Sequence, residues 1–556
     1  MIKDTVKIHC LNTDEEKEVT MGSPLTDLIE LFGVKMPYLI ANAKVNNKTE
    51  SLAYRVYRPK TIEFVDLSNS SAMRTYVRSL CFILAKAVDD LLPNAEMYIE
   101  HAVAKGYYFQ IESDVPVGKP ELDAIRKRMR EIVEADIPFV QVEEETAKVV
   151  QLFRERGMED KARLLETSDM LYARYSKLEE YIDYFYGCLT PSTGYIAMFD
   201  IQPHNGGYLL RVPKREDPVE LEPEVQQEKL LNVYREHLKF LKVSRLDNVG
   251  DLNRAKREDR MSEVIQVAEA YQSKQIGEIA EEITRRFQEG VRVVLISGPS
   301  SSGKTTFRKR LEIQLLVNLL RPMGISLDDY FVDRDKTPLD EHGEKDYESL
   351  YALDLDLFEQ HMLRLMQGEE VELPFYNFVT GKREYRKNYL KMAGNSILIV
   401  EGIHGLNPDL TAHIPSEKIF KVYVSALTTI SLDDHNWIPA SDNRLIRRIV
   451  RDYRYRGYSA EQTISRWDSV RRGEEKWIFP FQENADVMFN SAMIYELAAI
   501  RRHAEPILMQ VPRTAPEYSE AYRLLKFLSY FNYITDRELP PTSLLREFLG
   551  GSSFRY

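Results

Sequence analysis

Three kinds of residue in the back half of this chain could handle a phosphate chain: a glycine loop ending in Lys and Thr, acids closing apolar runs, and a stripe of arginines. The loop reads Gly298-Pro299-Ser300-Ser301-Ser302-Gly303-Lys304-Thr305-Thr306. It satisfies the pattern Gly, any four residues, Gly, Lys, then Ser or Thr. The run Val293-Val294-Leu295-Ile296 before it is strand-like, and Phe307, Leu311 and Leu315 after it recur at helical spacing. A strand, a glycine turn and a helix N-terminus together aim backbone N–H groups and a helix dipole at phosphate oxygens. Gly298, Ser300, Ser302, Gly303, Lys304, Thr305 and Thr306 are therefore the expected nucleoside-triphosphate contacts.

The acids come next. Ile325-Ser326-Leu327-Asp328-Asp329-Tyr330-Phe331 reads as a second strand ending in acid and aromatic residues. In a parallel sheet, ligands sit beyond the carboxyl ends of the strands, so Asp328 is expected near the terminal phosphate, where an Asp can take a proton from an attacking hydroxyl. Ile397-Leu398-Ile399-Val400-Glu401-Gly402 is a buried-strand pattern closing on a carboxylate suited to Mg²⁺. Pro374 to Thr380 reads as an aromatic-rich turn. Arg444, Arg447, Arg448 and Arg451 share one helical face, where guanidinium groups can neutralise charge on a transferring phosphoryl group.

These residues need a frame, and the chain is long enough for three or four units at 556 residues. Its 44% hydrophobic and 29% charged content is ordinary for a globular protein, and the net charge of −12 argues against broad binding to nucleic acid or acidic membranes. Cys10, Cys81 and Cys188 lie far apart and form no metal spacing. With no basic-then-apolar leader and no long apolar stretch, a cytoplasmic location is the expectation, without membrane contact.

Residues 1–67 read as a small mixed unit: Val6, Ile8 and Cys10 alternate as a strand, Ser23-Pro24 opens a helix, and Gly33 closes it. This unit resembles the TGS domain, a ubiquitin-like β-grasp module. Residues 68–213 resemble the editing domain of threonyl-tRNA synthetase, through Leu92-Pro93-Asn94-Ala95, Gly106-Tyr107-Tyr108-Phe109, Ile182-Asp183 and Pro191-Ser192-Thr193-Gly194. Where that family carries its His and Cys side chains, this chain has Arg78, Phe82, Phe185 and Leu189, so the editing chemistry is not expected. Residues 214–290 read as a helical connector with amphipathic helices over 222–242 and 261–287. A catalytic unit over 291–513 and a helical tail over 514–556 complete the expected plan.

The back-half segments, with Asp346-Tyr347-Glu348, resemble the uridine kinase and phosphoribulokinase family of P-loop kinases in order and spacing. That resemblance implies an α/β fold, a parallel sheet flanked by helices, with ATP and Mg²⁺ as cofactors. It implies Asp328 as general base, Lys304 on the β- and γ-phosphates, Thr305 and Glu401 on Mg²⁺, and Arg444 and Arg447 in a lid. Tyr347, Glu348, Tyr376 and Phe378 would line a nucleoside pocket. Two departures stand out: Gly381 replaces a base-contacting His, and Glu348 stands where Asp is usual. The expectation is phosphoryl transfer to a ribonucleoside 5′-hydroxyl, uridine or cytidine first, with oligomeric state open. The alternative is a regulator whose front half binds RNA or tRNA and whose phosphate loop is a nucleotide switch. A GTPase is disfavoured, since no Asn-Lys-x-Asp guanine-reading motif occurs.

Overall fold

The computed structural model describes residues 4–340 and 343–555. Residues 1–3 of the expected first unit, 341–342 of the catalytic unit and 556 of the tail lie outside them.

The back half is built on a five-stranded sheet in which every neighbouring pair is parallel. Its order is Arg321–Ser326, Ser396–Glu401, Val293–Ser297, Ile419–Ser425, Val487–Asn490. The central strand must be apolar on both faces, because helices cover both. Val293 and Leu295 face one core with Phe358 and Met362; Val294 and Ile296 face another with Phe307 and Leu311. This order sets the end of Val293–Ser297 beside that of Ser396–Glu401, with Ile296 opposite Glu401, and Ser326 also registers on Glu401. Three chemistry-bearing segments thus meet at one sheet edge.

The front of the chain holds a five-stranded sheet ordered Glu15–Thr20, Thr5–Cys10, Lys60–Asp66, Ile40–Val45, Lys48–Ser51, with the helix Leu25–Leu31 packed on it. That is the strand order of a β-grasp sheet. After it come the long helix Ser70–Leu91, a four-stranded antiparallel sheet and a three-stranded one. Two expectations shift. The connector helix begins at Glu228, not near 222; residues 222–227, with Pro223 among them, form an irregular segment leading into it. The aromatic stretch 374–380 is not simply a turn: it ends the strand Val371–Asn377, which pairs with Lys382–Leu390 as a two-stranded ribbon.

The halves share packing. One hydrophobic cluster joins Val149, Phe153 and Leu165 to Leu252, Ile446, Leu497, Leu524 and Leu549. The back-half loop 431–437 enters the front half. Buried Asp433 meets the buried Lys161 ammonium at 2.9 Å, and Lys161 also meets Asp183 at 3.1 Å. His435 Nδ1 lies 2.7 Å from Asp183, Asn436 donates to the Tyr184 carbonyl at 2.7 Å, and Trp437 packs on Tyr107. Phe82 and Phe185 pack edge to face, and His435 stacks on Phe185.

Candidate functional site

The helix Lys304–Val317 starts directly from the glycine loop, with Gly303 at φ 83°. Gly298 is required for a different reason: a Cβ there would sit 1.9 Å from the Val424 carbonyl oxygen of the neighbouring strand. The loop is braced from outside through its carbonyls. Arg444 donates to Ser300 O at 3.1 Å, Arg447 to Ser301 O at 3.3 Å, and the Ser491 hydroxyl to Ser302 O. Lys304 folds back, its ammonium donating to Gly298 O at 2.7 Å and Pro299 O at 3.0 Å. Burial lowers its pKa while Glu401 and Asp328 oppose that. The Ser301 and Ser302 hydroxyl oxygens are buried without a hydrogen-bond partner. Orphaned polar groups in a helix-tipped loop fit a phosphate chain.

Thr305 Oγ1 donates to Glu401 Oε1 at 2.9 Å, and Arg308 Nε donates to the other carboxylate oxygen at 3.1 Å. A hydroxyl and a carboxylate are hard oxygen ligands, the set Mg²⁺ takes when phosphates and waters complete its shell. No group of three or more His, Cys, Asp or Glu with metal-holding geometry occurs among the described residues. The donor set therefore fits a magnesium ion held jointly with a polyphosphate.

The two adjacent acids separate cleanly. Asp329 accepts the Tyr376 N–H at 3.2 Å and so anchors the ribbon. Asp328 projects into the cleft, its carboxyl pushed up to about 6 by the surrounding protein and then by repulsion from Glu401, against the pull of Lys304. Solvent reaches Asp328, so water offsets part of the desolvation and the Glu401 repulsion is the firmer cause. A carboxylate at that value is ionised at neutral pH and still basic enough to take a proton.

The arginines divide by partner. Arg447 is fully buried, with Nε and Nη2 both 2.6 Å from Glu496. Arg444 is buried against Glu474, which also accepts the Ser300 N–H at 3.0 Å. Both brace the loop from behind. Arg448 instead donates to the Ser300 hydroxyl at 2.9 Å and lies near Glu348, and Arg456 acts on Asp328 through its charge. The resemblance implies a lid for Arg444 and Arg447; their acid partners instead tie both to the back of the loop.

Around the cleft, Tyr376 is buried and Phe378 exposed, and they pack edge to face at 5.1 Å with Phe331 beside both. Tyr347 is 45% exposed at the rim. Glu348 packs where a Cβ on Gly473 would meet its own at 2.4 Å. Its carboxyl is pushed up to about 7 by burial, with Arg448 pulling the other way. Gly381, at φ 69°, lies under Arg334, whose guanidinium donates to the Phe378 carbonyl. Sequence reasoning missed Arg334, Arg308, Glu474 and buried His404. The His404 ring nitrogens lie outside hydrogen-bonding geometry, and burial holds its pKa down at about 4.

With this geometry in view, residues 293–497 match the Phosphoribulokinase / Uridine kinase family. The front part is similar to a threonine–tRNA ligase from Syntrophomonas wolfei, 27% identical over 200 residues, covering 36% of this chain and 31% of the ligase. The chain thus spans about a third of the length of the curated relatives it matches. Among solved structures, a protein from Bacillus stearothermophilus described as a possible uridine kinase aligns at 19% identity and TM-score 0.26, over 38% of this chain and 97% of its own. A D-glycerate 3-kinase from Cryptococcus neoformans aligns at 14% identity and TM-score 0.20, over 46% and 87%. No helix among the described residues is long and apolar enough to cross a membrane. Over residues 293–497, then, this chain is similar to the Phosphoribulokinase / Uridine kinase family.

Proposed function

We propose that the protein transfers the γ-phosphoryl group of ATP to the 5′-hydroxyl of a ribonucleoside. The observation that carries this reading is the division of labour between Asp328 and Asp329: one acid is consumed by the ribbon, and its neighbour stands free beside Lys304 and Glu401. A hydrolytic switch would need to position water there; a kinase needs a base for an alcohol.

In this reading Asp328 takes the proton of the 5′-hydroxyl as that oxygen bonds to the γ-phosphorus. The bond from phosphorus to the bridging oxygen breaks, and ADP leaves with the electron pair. Lys304 turns from the loop carbonyls toward the phosphates, and Arg448 neutralises charge on the transferring group. Thr305 and Glu401 would hold Mg²⁺, which would supply charge neutralisation for the polyphosphate. Tyr347, Glu348, Tyr376 and Phe378 would hold the nucleoside. Arg334 has only donors, so it suits a base that presents carbonyl oxygens and favours uridine over cytidine.

A second reading, an RNA-responsive regulator, draws support from the similarity of the front part to tRNA ligases. One experiment separates the two. ATP, Mg²⁺ and a nucleoside panel should give a nucleoside monophosphate and ADP in equal amounts. ATP hydrolysis that ignores every nucleoside and rises with tRNA would replace the kinase reading with the regulator.

A further inference from the structure

The nucleotide-binding face of the loop is already touched by an anion from elsewhere in the chain. Thr306 is the third residue of the helix Lys304–Val317, so its N–H lies in the first turn, where the helix itself supplies no carbonyl acceptor. Glu547 Oε2 accepts this N–H at 3.2 Å and the Thr306 hydroxyl at 2.7 Å. A single carboxylate oxygen thus takes two converging donors at a phosphate loop, as a phosphate oxygen does. Thr306 is fully buried.

The neighbours of Glu547 anchor it from the core side of the loop. Leu544 covers Gly303 so tightly that a Cβ there would lie 2.5 Å from Leu544 Cδ2, and Phe548 lies 5.0 Å from the Arg447 guanidinium. Glu547 stands on the short helix Arg546–Leu549, followed by Gly550 and Gly551 at φ 82° and 74°, while Leu544, Leu545, Phe548 and Leu549 around it are buried in the cores. Burial raises the Glu547 carboxyl pKa, with the Thr306 hydrogen bonds opposing, so the docked acid carries a desolvation cost that release would relieve.

We propose that Glu547 is a built-in competitor for the nucleotide: its carboxylate holds a phosphate-oxygen position, and the polyphosphate chain binds only as this side chain turns away. Two anions cannot share the Thr306 donors, so nucleotide binding and undocking are one event. The proposal rests on the nucleotide-binding part of the reading above, not on the identity of the acceptor.

The test uses the full chain and MgATP without acceptor. Titration calorimetry of wild type and Glu547→Gln should show about tenfold tighter binding in the variant, because the amide gives up the charge-assisted hydrogen bond. In wild type, hydrogen exchange across 539–551 should rise when ATP saturates the site, a readout independent of whether the variant folds. Equal affinities together with unchanged exchange would overturn the competitor while leaving the kinase reading intact. If folded wild type and variant both fail to bind ATP, the nucleotide reading falls and the competitor with it.

Discussion

Replacing Asp328 by Asn probes the chemistry most directly, because the amide keeps the reach of the side chain and loses its affinity for a proton. The wild-type carboxyl stands at about 6, raised by the protein around it and by Glu401. At pH 7 about nine molecules in ten therefore carry it ionised, and at pH 5 about one in ten. Protonation removes the acceptor, so turnover should fall about tenfold per pH unit below that value and level off above it. In Asp328→Asn the rate at neutral pH should drop by about 10²- to 10⁴-fold, the usual contribution of a positioned base. What remains should lose the acidic limb. The assay is steady-state ADP release with saturating nucleoside across the acidic and neutral range, with ATP affinity measured separately to show an intact site. Wild-type turnover in the variant, or a flat wild-type profile between pH 5 and 7, would refute the reasoning.

Four further outcomes are expected. Glu496→Gln leaves the buried Arg447 charge unpaired and should cost about 3–5 kcal/mol in urea unfolding; less than about 1 kcal/mol would show that solvent reaches the guanidinium. Asp433→Asn removes one of the carboxylates that hold Lys161 and should cost about 1.5–3 kcal/mol, while calorimetry still shows one transition. Two separated transitions would break the idea of a shared core. Thr305→Ala should raise the Mg²⁺ concentration for half-maximal rate by about 10- to 100-fold, and an unchanged requirement would take its hydroxyl out of metal binding. Arg334→Ala should shrink the preference for uridine over cytidine by roughly tenfold, as loss of one charged donor implies, and a preference that survives intact places the base elsewhere.

Much of this site was readable because its rules are local. A glycine loop between a β-branched strand and a helix announces itself within about ten residues, and the acids Asp328 and Glu401 follow from the ends of apolar strands. What spacing could not do was sort the arginines. Arg444, Arg447 and Arg448 share a helix face, but Glu474 and Glu496, which set their roles, come from later helices with no pattern linking them to that face. Glu547 was invisible for the same reason, reaching Thr306 from 241 positions away. The ribbon was read as a turn because Lys382–Leu390 is polar and exposed along most of its length, so its side chains lack the alternation that marks a half-buried strand.

The meeting of Tyr184 and Tyr530, hydroxyl to hydroxyl inside one core, bears on how the molecule is made. The two are separated by 346 positions. Val149, Phe153 and Tyr184 leave the ribosome long before Leu524 and Tyr530 exist to cover them. At about 5–20 residues per second, that apolar surface waits on the order of 17–70 s for its partner. During synthesis this protein must therefore shelter a half-finished interior, and its yield in cells should respond to chaperone supply more steeply than its finished stability suggests.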